Sequence, residues 1–407
     1  MLALPTSLGG GGGGGKLPAI LQDRCDPAQR MRRLLLEGGS KECEDAVMAS
    51  LEWLKAHQNE DGSWGKQYPG AMTGLAVLCY LGHCELPKSS ARYGPTVYRG
   101  IKYLHKILGE QNEQSADAKS GPRPRLPMPM DFRRFFSSYT YEQAIATYAL
   151  AEAYTMTQDT EIAPTVVKAA RIIIEGQGKG GGWIGYGSYS QNGIDISVTG
   201  WQVQALKAVY LTKLRVQDLE ACLNRAVNAV ERMQGSNGIW NYQGYGDMEM
   251  GKRPGTSISL TGVGTLCLML WKRANSNNVT RGIEEILKEY AIAESFPTRN
   301  LPDPSRVSKR PLPGSGRAAH PTPEIPRRRN VDVYAWYYNT LVCFQRGGKV
   351  WVQWNNTFKP EILGGRNADG TWSFNSGGRA GQDSDTYELT LCTLMLEAYY
   401  RYLPTGS

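Results

Sequence analysis

Apolar residues recur along this chain in two alternating styles. In "CEDAVMASLEWLKAHQ" (43–58), Val47, Leu51 and Leu54 fall at i, i+4 and i+7, one apolar stripe on an otherwise polar helix. Ser40, followed by Glu42 and Glu44, marks the N-terminal cap region of that helix. Shortly afterwards "AMTGLAVLCYLGH" (71–83) is apolar nearly all round, as a helix buried on every side must be. Further buried helices are expected at 141–154, 197–211, 259–271, 331–344 and 386–400.

A short turn separates the two styles. "QNEDGSW" (58–64), "QGKGGGW" (177–183), "QGSNGIW" (234–240) and "RNADGTW" (366–372) share a spacing: Gly stands two residues before Trp, and a long polar residue six before it. Gln58, Gln177, Gln234 and their tryptophans Trp64, Trp183, Trp240, with Trp372 in the fourth copy, are therefore structural positions. The first and last Trp-to-Trp spacings are close to twice the middle one, so two units lack the motif. Segments 109–129 and 296–329, rich in Pro, Gly and charge, stand in their places as inserted loops. The count is six helix pairs of roughly 60 residues each. Six pairs predict an all-α (α/α)6 toroid, in which the first unit packs on the last; an open solenoid is the alternative.

The toroid is expected as one domain over residues 41–404, with a Pro/Arg-rich insertion at 296–330 and a Gly-rich flexible segment at 1–40. The chain of 407 residues carries 46 Lys and Arg against 38 Asp and Glu. Much of that excess lies at 299–329 and reads as a solvated basic loop, so no nucleic-acid partner is expected. Neither a signal peptide nor an apolar run of membrane-spanning length is visible, and a cytoplasmic or membrane-peripheral location follows, with peripheral membrane contact left open. The eight cysteines show no CxxC pair. Most fall in apolar helical stretches, where a reduced thiol behaves as a small hydrophobe, the pattern of a reducing compartment.

The turn resembles the QW repeat of squalene–hopene and oxidosqualene cyclases and of protein prenyltransferase β subunits. Residues 43–404 fit that superfamily in repeat count, motif and helix alternation. Within it, "YEQAIATYALAEAY", "ISVTGWQVQALK" and "LEAYYRYLP" are most similar to bacterial prenyltransferase/squalene-oxidase-repeat proteins. The resemblance implies a catalytic acid in a DxDDT motif for the cyclases, and zinc held by Asp, Cys and His for the prenyltransferases. Here the matching stretch is "DISVT" (195–199), with Ser197 and Val198 in place of the second and third Asp. A serine hydroxyl is too weak an acid to protonate an alkene, and valine supplies no acid at all. Asp195 is then either a helix cap or a catalytic residue. The four histidines, His57, His83, His105 and His320, lack ligand spacing, so neither a metal nor another cofactor is expected.

The inner helices bring aromatic and polar side chains toward a central cavity: Tyr141, Tyr148, Trp201, Gln202, Tyr334, Tyr337 and Tyr387. Such a wall suits an apolar, isoprenoid-like ligand and would stabilise a carbocation, although part of the set is expected to pack between the helix rings. Glu142, Asp332, Asp385 and Glu388 lie near helix N-termini, where a carboxylate caps the helix or, if buried, donates a proton. Two functions follow. One is a binding toroid for an apolar small molecule or a protein segment. The other is a non-standard terpenoid cyclase using a relocated acid, with Glu142, Asp195 and Asp385 as the candidates.

Overall fold

The computed structural model describes residues 24–110, 139–190, 192–244, 257–294, 331–374 and 380–402. Helix α1 (Pro27–Leu36) precedes the first pair, α2 (Lys41–Ala56) and α3 (Pro69–Gly82). The next pairs are α4 (Gly94–Gly109) with α5 (Tyr139–Thr157), and α6 (Ala163–Glu175) with α7 (Ile196–Leu211). Then come α8 (Leu219–Arg232) with α9 (Ile258–Leu270), and α10 (Asn277–Glu294) with α11 (Val333–Arg346). The last pair is α12 (Gly348–Gly364) with α13 (Ser384–Leu396), followed by one turn, α14 (Ala398–Arg401).

The second helix of each pair lies inside. Each inner helix packs on the next in the order α3, α5, α7, α9, α11, α13, and α13 returns to α3. This closes the ring and rules out the open solenoid. Burial follows the two sequence styles. Every residue of α3 from Gly70 to Gly82 is buried, whereas outer helix α8 buries a stripe that includes Leu219, Cys222, Leu223, Ala226 and Val230.

The repeated turn is the joint between units. Each indole N–H donates to the carbonyl ten residues upstream, near the end of its own outer helix. Trp64 reaches Leu54 at 2.7 Å, Trp183 reaches Ile173 at 2.8 Å, Trp240 reaches Val230 at 2.9 Å and Trp372 reaches Ile362 at 2.7 Å. The glutamine binds backbone carbonyls on both sides of the joint. Gln58 Nε2 donates to Gly62 O within the turn and to Thr96 O in the first turn of α4, both at 3.0 Å. Gln177 spans Gly181 and Cys222 in the same way, and Gln234 spans Gly238 and Asn278. Each amide oxygen accepts from an arginine on that next helix: Arg99, Arg225 or Arg281. The shared glycine has a clear cause at Gly62, whose φ is +89° and where a Cβ would lie 2.7 Å from the Arg99 carbonyl.

Two expectations need correction. The segment 1–40 is not flexible throughout, because residues 27–36 form α1 and Arg24 is fully buried. The rest of that segment before residue 24, and the insertion at 296–330, lie outside the described residues. Nor are all cysteines reduced thiols. Cys25 and Cys84 form a disulfide with a Cα–Cα distance of 5.1 Å, while Cys43, Cys79, Cys222, Cys267, Cys343 and Cys392 are free and buried. Short spacing in sequence was no guide, since this pair joins residues 59 apart.

If the indoles hold the joints, Trp64→Ala should lower stability by about 3–5 kcal/mol. Gln58→Ala should lower it less, by about 1–3 kcal/mol, because Gln58 is only half-buried and its loss removes hydrogen bonds rather than a large apolar volume. Chemical denaturation of the two variants checks the ranking; equal losses would count against the indole as the main joint.

Candidate functional site

Alternation of outer and inner helices makes the inner six parallel, so their N-termini converge at one end. That end gathers unpaired backbone N–H groups and the positive ends of the helix dipoles. Carboxylates meet them. Glu142 accepts from Gly70 N at 2.8 Å, capping the neighbouring inner helix α3. Asp383 accepts from Lys66, Gln67 and Tyr68 N at 2.6, 3.0 and 2.7 Å, joining the last unit to the first. Asp332 accepts from Ala335 N and, at 2.6 Å, from the Ser259 hydroxyl on α9. Glu388 accepts from Phe374 N at 2.7 Å. Asp385 stands exposed on the first turn of α13, away from this buried set.

Asp195 has the most complete surroundings. It caps α7 through Ser197 N at 2.8 Å and Val198 N at 3.1 Å, and the Ser197 hydroxyl adds a third bond to the same oxygen at 2.8 Å. Its other oxygen accepts from Tyr186 Oη at 3.1 Å and Gln243 Nε2 at 2.8 Å. Gln243 arrives there because strand β1 (Ile194–Asp195) pairs antiparallel with β2 (Gln243–Gly244), placing Asp195 opposite Gln243.

Proton counting gives the direction of the chains that end on Asp195. Tyr186 spends its one proton on Asp195, so Tyr242 donates to Tyr186, at 2.7 Å. Ser197 likewise spends its proton on Asp195, so Tyr141 donates to Ser197, at 2.5 Å. Two tyrosine chains therefore converge on one carboxylate, one from the surface, where Tyr186 and Tyr242 are 45% and 38% exposed, and one from the ring interior. Burial, reinforced by the nearby Asp195 charge, holds the Tyr141 phenol protonated well beyond the usual range. Burial and the hydrogen bonds to Tyr242 and Asp195 do the same for Tyr186.

The expected cavity residues divide into two groups. Tyr141, Tyr334 and Tyr387 lie in the first turns of α5, α11 and α13, at the N-terminal end, or mouth, of the ring, with Tyr334 within electrostatic reach of the other two. The remainder is committed to packing. Trp201 stacks on Tyr337 at 5.8 Å, Tyr337 donates to Gln204, Gln202 bridges Thr140 O and Tyr189 Oη, and Tyr148 is wholly buried. Sequence reasoning missed Tyr186, Tyr242 and Gln243. The first follows one conserved-spacing turn and the other two follow another, and only strand pairing between the two turns brings them to Asp195.

The opposite end brings buried arginines together with buried glutamates. Arg401 donates to Leu78 O at 3.1 Å and pairs with Glu152 at 2.7 Å, all buried. Arg24 pairs with the other Glu152 oxygen at 3.2 Å, and Glu397 lies 3.6 Å from Arg401. Burial pushes the Glu397 carboxyl up to about 8 despite the pull of Arg401, His83 and Arg24. Burial alone would lower His83, but hydrogen bonds to Glu44 and Glu85 carry it above its ordinary value.

No family model matches this chain. A probable squalene–hopene cyclase of Sinorhizobium fredii is 24% identical over 241 residues, which are 55% of this chain and 35% of that relative. The chain thus spans about a third of the relative's length. Among solved structures, the GH76A α-1,6-mannanase of Salegentibacter sp. HEL1_6 superposes with a TM-score of 0.56 at 11% identity, covering 88% of this chain and 98% of that one. The unsaturated glucuronyl hydrolase of Bacillus sp. GL1 gives 0.51 at 12% identity, covering 89% and 98%. The fold is an (α/α)6 toroid. In sequence it is similar to a terpenoid cyclase, and in architecture it matches toroidal enzymes at identities that speak to fold alone.

The Glu397 and His83 shifts set a pH dependence. Glu397 keeps its proton in the folded chain up to about 8, while the unfolded chain releases it near 4.5, so stability falls as pH rises across that window. The raised His83 contributes stability below about 6.5 that is lost above it. Glu44, Glu85 and Glu152, all lowered against burial by their cationic partners, contribute above about 4.5 and lose it in acid. Melting temperature should therefore peak between about 4.5 and 6.5 and fall toward pH 8.5, with Glu397→Gln flattening the alkaline side. An alkaline slope unchanged in Glu397→Gln would remove Glu397 as its cause.

Proposed function

We propose that this chain is a cyclase-like toroid that binds an apolar, isoprenoid-like ligand at its N-terminal mouth and does not start cyclisation by protonating an alkene. The observation that carries this reading is the state of Asp195. It stands at the first position of the acid motif, and its two oxygens already accept five hydrogen bonds, leaving no lone pair directed at a ligand. Ser197 and Val198 supply no acid in the two positions that follow. Glu142 points its carboxylate at the backbone of α3, and Asp385 faces solvent, so neither offers a buried acid aimed at the mouth.

Tyr141, Tyr334 and Tyr387 supply what a binding site needs. Their ring faces fit an apolar ligand. The low identity to the squalene–hopene cyclase supports the ligand class and no particular reaction.

Native mass spectrometry of the purified protein should reveal a copurifying isoprenoid or similar lipid. Tyr334→Ala should weaken its retention about tenfold or more with the fold intact by circular dichroism. Incubation with squalene and with shorter polyprenols and their diphosphates should return each unchanged. Product formation that is lost in Glu142→Gln or Asp385→Asn would overturn the proposal in favour of a cyclase with a relocated acid.

A further inference from the structure

The end of the ring opposite the mouth is closed by the chain's own N-terminal segment. Arg24 enters it fully buried, with Nη2 3.2 Å from Glu152 and 2.8 Å from Met156 Sδ, both on α5. Behind it, Arg30 donates to Arg24 O at 2.9 Å and pairs with Glu44 at 3.2 Å. The Cys25–Cys84 disulfide ties this segment to the residue just beyond α3.

Apart from that bond the segment is held mainly by the polar contacts of Arg24 and Arg30. Of the ten residues of α1, only Arg30 and Leu34 are buried, and Leu35 and Leu36 are 55% and 73% exposed. The group that it buries deepest is a cation. Arg24 shares Glu152 with Arg401, and its Nε and Nη1 have no hydrogen-bond partner among the described residues. A buried guanidinium with part of its donors unmet opposes its own insertion. A disulfide that only reinforced a well-packed element would join surfaces that also hold each other; this one fixes a segment with little apolar contact and an unfavourable charge.

We propose that Cys25–Cys84 is a redox latch, and that its reduction releases residues 24–36 from this end of the ring and uncovers the Glu152–Arg401 pair. A dithiol reductant delivers two electrons and two protons, the S–S bond breaks to give two thiols, and the reductant leaves as its own disulfide. The disulfide joins residues 59 apart, but with the ring still folded only the tether from Cys25 to the start of α2 at Lys41 gains freedom, roughly fifteen residues. Loop-closure entropy of that size corresponds to a shift in the open population on the order of 10²-fold.

Hydrogen exchange on the full chain, with and without a dithiol reductant and with reduction confirmed by intact mass, tests this. Amides of residues 30–36 should lose protection about 10²-fold on reduction, while the inner helices α3 to α13 keep theirs. A Cys25→Ala/Cys84→Ala variant should show the same pattern with no reductant present. Unchanged protection of 30–36 in the reduced protein would overturn the latch. So would parallel loss across the whole ring, or failure of the double variant to fold, since either makes the disulfide a structural staple.

Discussion

Closing six parallel inner helices into a ring is the constraint on which the remaining chemistry depends. Parallel packing sends every inner N-terminus to one end and every inner C-terminus to the other. In a single helix the dipole is a minor term, but six aligned termini around one axis make each end a concentrated partial charge with backbone groups to satisfy. The chain answers differently at the two ends. Glu142, Asp195, Asp332, Asp383 and Glu388 accept backbone N–H groups at the mouth. At the far end Arg401 donates to the Leu78 carbonyl, one turn before the end of α3, and arginines and glutamates are buried together.

The same geometry explains why buried acids near a cavity are poor evidence of catalysis in such a ring. A carboxylate at an inner N-terminus has a structural duty, and its partners show whether any oxygen is left over. Asp383 illustrates the point, since its three backbone bonds to residues 66–68 are what join the sixth unit to the first. Asp195 goes further and serves as the meeting point of two tyrosine chains, which fixes the rotamers of Tyr141 and Tyr186 at the mouth. Those bonds orient the Tyr186 and Ser197 hydroxyls and, through Ser197, the Tyr141 phenol.

The far end is a compromise of a different kind. Two arginines and two glutamates share a fully buried volume, and burial raises the Glu397 carboxyl toward its neutral form. Desolvation therefore competes with pairing there, whereas at the mouth hydrogen bonds to backbone satisfy the charge. Stability in this toroid comes from the indole joints and the apolar inner helices, and its two ends are where the sequence departs from simple packing.

Most of the architecture could be read from the sequence, because periodicity and turn spacing are local properties. The apolar inner helices, the amphipathic outer ones, the four Trp turns and the two units without them all follow from neighbours a few residues apart. So does the lack of an acidic side chain at Ser197 and Val198. What local pattern could not supply is pairing across the ring. Cys25 finds Cys84, Arg24 finds Glu152, and Gln243 finds Asp195 only after the repeats have stacked and a two-residue sheet has formed between turns. The cavity residues divide for the same reason, since Tyr141 and Tyr148 share an inner helix and an aromatic character yet differ in depth along it. Sequence determined the repeat and its joints; closure of the ring decided which side chains face one another and which charges are paired.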